Sequence, residues 1–208
     1  MNPPSRHALA QIIVLVALVS SIGSAMPQDI SAGERKYGFC ASCHGIDGRS
    51  VKVNYPILAG QAAPYILRQL QDFKSGRRSD PNMGPVAEQL SEEDMRDLAA
   101  FFASRESYSS PWKSEPIKVA RGKKKAKSGR CDSCHPERGE SPNTELPRIQ
   151  GQHRNYLMKQ LMDFRSGRRA NDRGVMQRVA QEMTAADSDD LGSYFAAMNS
   201  NRSHGKRR

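Results

Sequence analysis

The sequence predicts an all-α protein built as two tandem copies of one small helical unit. Three observations lead there. First, a shift of 91 positions superposes the halves: Pro56 on Pro147, Gly60-Gln61 on Gly151-Gln152, Tyr65 on Tyr156, Gln69-Leu70 on Gln160-Leu161, Asp72-Phe73 on Asp163-Phe164, and Ser75-Gly76-Arg77-Arg78 on Ser166-Gly167-Arg168-Arg169. Beyond this point a shift of 93 aligns Met83 with Met176, Val86-Ala87 with Val179-Ala180 and Leu98 with Leu191. Second, apolar residues in both halves recur at helical spacing and no stretch reads as a strand. Third, each half holds one Cys-x-x-Cys-His: Cys40, Cys43 and His44 in the first, Cys131, Cys134 and His135 in the second, which together use all four cysteines.

In chain order, the N-terminus reads as an export signal. Arg6 and His7 give a basic start, residues 12–19 form an apolar run short for a membrane span, and Gly23-Ser24-Ala25 supplies small residues for cleavage after Ala25. A helix should lead into each Cys-x-x-Cys-His. A second helix begins near Pro64, with Ile66, Leu70 and Phe73 on its apolar face, matched by Leu157, Leu161 and Phe164; it ends at Gly76 or Gly167. A third opens at Ser91-Glu92-Glu93-Asp94 or Thr184-Ala185-Ala186-Asp187, each close to a capping box. Its apolar face is Met95, Leu98 and Phe102 in one copy and Leu191, Phe195 and Met198 in the other. The expected division is a signal over 1–25, a first domain over 26–110, a basic linker over 111–127, a second domain over 128–200 and a basic tail over 201–208.

Cys-x-x-Cys-His is the attachment pattern of c-type haem. Two thiols add across the haem vinyl groups, and the adjacent imidazole ligates the iron. A redox dithiol does not need the following His. A zinc ribbon needs its pairs about 15–20 residues apart, whereas Cys43 and Cys131 are separated by 88 positions. Two covalent haems are therefore expected.

The second axial ligand decides what such a haem does. Met83 and Met176 are the methionines that align between copies, each after a polar loop and before the third helix. Met95, Met158, Met162, Met183 and Met198 fall on apolar stripes or lack a counterpart and read as core. His153, whose counterpart is Ala62, reads as a surface or capping residue at a helix start. Pro56 and Pro147 each follow the ligand His by 12 positions. Their carbonyls are candidates to accept the imidazole Nδ1–H; a plain turn proline is the alternative. Arg78 and Arg169, from the Arg77/Arg78 and Arg168/Arg169 pairs, are candidates to hold haem propionates, a solvated turn being the alternative.

The formal charge is +10. Basic runs at residues 118–130 and in the tail suit an acidic redox partner or an anionic membrane surface, a solvated linker and a frayed tail being the alternative. Nucleic acid is set aside for an exported haem protein.

Two Cys-x-x-Cys-His units, Pro-x-Leu-x-Gly-Gln at 56–61, Gly-Arg-Arg, a Met and the Leu-Ser-Glu-Glu-Asp helix together resemble the dihaem cytochrome c4 family, over nearly all of the mature chain. The resemblance implies two class I cytochrome c domains about a pseudo-twofold axis, with haems ligated by His44 and Met83 and by His135 and Met176. It implies an electron carrier of the bacterial periplasm rather than an enzyme, taking electrons from a donor such as a membrane quinol-oxidising complex and passing them to an acceptor such as a terminal oxidase. The second copy departs from the pattern: Pro136 stands where the first copy has Gly45, and residues 171–174 lengthen the Met loop. A cytochrome subunit of a sulfide- or thiosulfate-oxidising dehydrogenase shares this architecture, and a dihaem enzyme with one exchangeable axial ligand is the other alternative.

Overall fold

The computed structural model describes residues 28–136 and 145–198. The expected signal and tail lie outside the described residues. The first copy contains α1 (Ile30–Lys36), α2 (Gly38–His44), α3 (Ala63–Lys74), α4 (Met83–Glu88) and α5 (Glu92–Ser104). The second contains α6 (Pro116–Ser128), α7 (Arg154–Arg165), α8 (Val175–Gln181) and α9 (Ala185–Ala197). Among the described residues there is no strand, only an isolated antiparallel bridge between Arg78 and Arg169.

Each copy is organised by its last helix. The capping boxes form as the sequence predicts: Ser91 and Asp94 exchange side-chain and backbone bonds at the start of α5, and Thr184 and Asp187 do so at α9. The leading helix crosses the last one, α1 on α5 and α6 on α9, while α3 and α7 pack on the same partners. Glycine permits that crossing. A Cβ on Gly33 would stand 2.2 Å from the Asp97 carbonyl oxygen, and one on Gly122 would stand 2.0 Å from that of Asp190. Ion pairs close the same crossings. Lys36 reaches Asp94 and Asp97, Arg121 reaches Asp190, and Lys125 reaches Asp187. Beneath them the first core gathers Ile66, Leu98, Ala99, Phe101 and Phe102, with Tyr37 stacked on Phe101 at 4.5 Å. The second gathers Ala126, Leu157, Leu191 and Phe195, with Met183 and Met198 packed against it.

One expectation is corrected by the structure. The basic stretch 111–127 is helical from Pro116 onward: its Gly122 and Ala126 are buried against α9, and its charges turn outward or pair with α9 carboxylates. The helix expected to lead into the second motif therefore occupies most of the stretch read as a linker. A short helix, α4 or α8, also lies between each Met loop and the capped helix, too brief to show a periodic apolar face. The copies differ just before the second motif. Gly122 precedes Cys131 by nine positions, but Gly33 precedes Cys40 by seven. The two extra residues are taken up at Gly129 and Arg130, the latter left-handed with φ 51°. Cys131 consequently opens a 3-10 turn (Cys131–Ser133), whereas Cys40 sits within α2.

The copies meet through equivalent polar residues. The Gln61 amide bonds the backbone of Arg148, through Nε2 to its oxygen at 2.9 Å and Oε1 from its N–H at 2.8 Å. Gln152 does the same to Ile57, both bonds at 2.9 Å. Since Ile57 and Arg148 themselves align, the pairing is reciprocal about a pseudo-twofold axis.

Candidate functional site

In both copies the helix or turn carrying Cys-x-x-Cys-His presents its imidazole to the loop that follows. His44 Nδ1 lies 2.9 Å from the Pro56 carbonyl oxygen, and His135 Nδ1 lies 3.0 Å from that of Pro147. A carbonyl only accepts, so the proton sits on Nδ1 and the lone pair on Nε2. Burial pushes both imidazoles below their ordinary pKa and so favours the neutral ring, against the opposing pull of the proline carbonyl. Tyr55 meets the His44 ring edge-on at 6.2 Å. Cys40 packs on the first core and Cys131 on the second. Burial raises both thiols, and Asp132 adds to the effect at Cys131. No disulfide joins any of the four cysteines.

Met83 begins α4 and Met176 is the second residue of α8; both are half-buried. Each has its amide held by an aspartate just upstream. Asp80 Oδ1 accepts from Asn82 and Met83, at 3.0 and 3.2 Å. Asp172 accepts from Gly174 through Oδ1 and from Met176 through Oδ2. Sequence reading missed these aspartates, although an Asp three or four residues before a helical residue is a recognisable turn-and-cap signal. The lengthened loop of the second copy thus delivers its Met by the same device.

Arg78 and Arg169, expected at haem propionates, take protein partners across the pseudo-twofold. Arg78 bonds Gln69 at 2.7 Å, Gln160 at 2.8 Å and the Tyr156 hydroxyl at 3.1 Å. Arg169 bonds Gln160 at 2.6 Å, Gln69 at 3.0 Å and the Tyr65 hydroxyl at 3.1 Å. The outward members, Arg77 and Arg168, pair with Asp72 and Asp163. His153 stands at the N-cap of α7, where a helix start was expected, but it is not a surface residue. It is fully buried, with Nε2 2.9 Å from the Ser50 carbonyl oxygen and Nδ1 2.9 Å from the Ser110 hydroxyl. It joins the second copy to the first-copy loop beside Cys43, whose carbonyl accepts from the Ser50 hydroxyl.

The residues fit a covalent haem in each copy: two thiols, one neutral imidazole with its metal-binding nitrogen defined by a backbone carbonyl, and a thioether on a fixed loop. Comparisons with known proteins agree. The cytochrome c family model matches residues 30–106. Cytochrome c4 of Pseudomonas aeruginosa is 35% identical, over 89% of this chain and 98% of its own length. A thiosulfate dehydrogenase electron acceptor of Stutzerimonas stutzeri is 34% identical, over 76% of this chain and 77% of its own. The crystal structure of reduced recombinant cytochrome c4 from Pseudomonas stutzeri superposes with a TM-score of 0.77 at 34% identity, covering 83% of this chain and 100% of that one. With the doubled motif, the two helical units and these relatives together, the chain belongs to the cytochrome c4 family, dihaem electron-transfer cytochromes with two covalently bound haem c groups per chain.

Proposed function

We propose that the chain is a periplasmic carrier that accepts and releases one electron per haem and performs no bond-making chemistry of its own. Cys40 and Cys43 hold the first haem, with His44 and Met83 as axial ligands; Cys131 and Cys134 hold the second, with His135 and Met176. The observation that carries this reading is the repeated bond from each motif imidazole to a proline carbonyl, which leaves Nε2 available to ligate a metal in both copies. When bound, haem iron supplies a ferrous/ferric couple that a thioether ligand shifts upward. The protein's part is to anchor the haem, fix the imidazole and keep the Met loop in place, so that little rearrangement accompanies electron exchange.

Export follows from the apolar leader and from the haem chemistry. No helix among the described residues is long and apolar enough to cross a membrane. The partners are redox proteins, with a quinol-oxidising membrane complex or another donor on one side and a terminal oxidase or another acceptor on the other. The basic balance of the chain favours acidic docking surfaces. A second reading, electron acceptance from thiosulfate oxidation, is favoured by the likeness to the thiosulfate dehydrogenase electron acceptor. Reduced holoprotein exposed to carbon monoxide tests the carrier reading. Two closed sites leave the spectrum unchanged, and ready binding would establish an open haem and an enzyme.

A further inference from the structure

The positive charge of this molecule is concentrated at one end. Residues 28–110 carry 10 Lys and Arg against 11 Asp and Glu, whereas residues 111–198 carry 17 against 11. Much of the excess lies on α6 and the turn after it, and its cations divide into two sets. Lys118, Arg121 and Lys125 pair with carboxylates near or on α9. Lys123, Lys124, Lys127 and Arg130 are exposed, and their side chains make no ion pair or hydrogen bond among the described residues. Lys123 and Lys127 stand one turn apart on α6, and Arg130 follows in the turn after the helix. This run leads directly into Cys131.

The first copy has nothing comparable. The Gly33/Gly122 match places Glu34, Arg35 and Gly38 opposite Lys123, Lys124 and Lys127. The cysteine match places Phe39, 71% exposed, opposite Arg130. The approaches to the two attachment sites therefore differ in kind, one near neutral and apolar, the other strongly cationic.

We infer that an acidic redox protein docks on the Lys123, Lys124, Lys127 and Arg130 face, so that the second haem is its port and the first is reached through the molecule. This rests on the electron-carrier reading. Uncompensated cations beside an exchange site steer an anionic partner to that site in preference to its pseudo-symmetric twin. No atoms are transferred in the step: one electron leaves the reduced carrier and the partner's oxidised centre gains it.

The test uses reduced dihaem protein and an acidic plastocyanin as probe, its copper(II) becoming copper(I). Lys123→Glu/Lys127→Glu is compared with Arg35→Glu, the exposed cation at the matching place on the first copy. At low salt the double variant should exchange about tenfold more slowly than wild type, and the difference should shrink as salt rises past about 0.1 M. Its binding to copper(I) plastocyanin, where no electron can move, should weaken in parallel. Arg35→Glu should change neither. Unchanged haem spectra and melting temperature establish that the exposed substitutions leave the fold intact. Equal slowing by both variants, or by neither, overturns the docking assignment while leaving the carrier reading standing. Unchanged plastocyanin kinetics with loss of binding to phosphatidylglycerol vesicles overturns it in favour of a membrane-facing role. Wild type that exchanges with no probe, small inorganic oxidants included, overturns the carrier reading itself.

Discussion

At the residue scale, the site is a set of fixed orientations. Pro56 and Pro147 have no N–H to offer, but their carbonyls accept from the motif imidazoles and leave Nε2 as the nitrogen with a free lone pair. Asp80 and Asp172 hold the amides of Met83 and Met176. Removing the thioether should open one site without releasing its haem, because both thioether bonds and the His remain. Met176→Ala should lower the potential of the second haem alone, Met83→Ala that of the first alone, and Met183→Ala, a residue packed on the second core, neither. Redox titration of the three variants checks this, and a Met183→Ala effect on potential matching that expected of Met176→Ala would move the ligand. A different residue guards the fold. Gly122→Ala would drive a methyl into the Asp190 carbonyl, and thermal melting should show the loss at the α6–α9 crossing.

At the element scale, α5 and α9 bear most of the packing and their first turns are electrostatically primed. Lys36, then Ser91, holds Asp94 down to a pKa of about 2; Lys125, then Thr184, does the same to Asp187. Both folded values lie below the ordinary carboxylate value of about 3.9, so this stabilisation is present above about pH 4 and is lost as pH falls toward 2. Melting temperature should drop across that window, and Asp94→Asn should flatten part of the drop. Ser91→Ala should cost about 1 kcal/mol, read by denaturant unfolding. These helices were legible because caps and apolar spacing are local: Ser91 with Asp94, and Leu98 with Phe102, announce α5 unaided. Helices α4 and α8 were not, at six and seven residues. Nor was α6 as a packed element, because its buried face is only Gly122 and Ala126, small residues that signal nothing amid lysines.

At the scale of the whole molecule, the duplication builds its own interface. Gln61, Tyr65, Gln69 and Arg78 recur as Gln152, Tyr156, Gln160 and Arg169, and each set bonds residues of the other copy. The sequence displayed this repetition but not the contacts between the copies, since the partners across the interface lie roughly 80–100 positions apart and the side-chain type of an arginine does not name its acceptor. Arg78→Met should strand buried acceptors on both sides. We expect about 2–4 kcal/mol of destabilisation, seen by denaturant unfolding, with weakened coupling between the two redox centres. The central claim is two covalent haems per chain, each closed by His and Met. The most direct measurement is the long-wavelength Met–iron charge-transfer band of the oxidised holoprotein, set against a haem count on the same sample. The account predicts two haems per chain and a band of full two-site intensity that falls by about half in Met83→Ala and again in Met176→Ala. A count of one haem, or a wild-type band worth only one site, would contradict it.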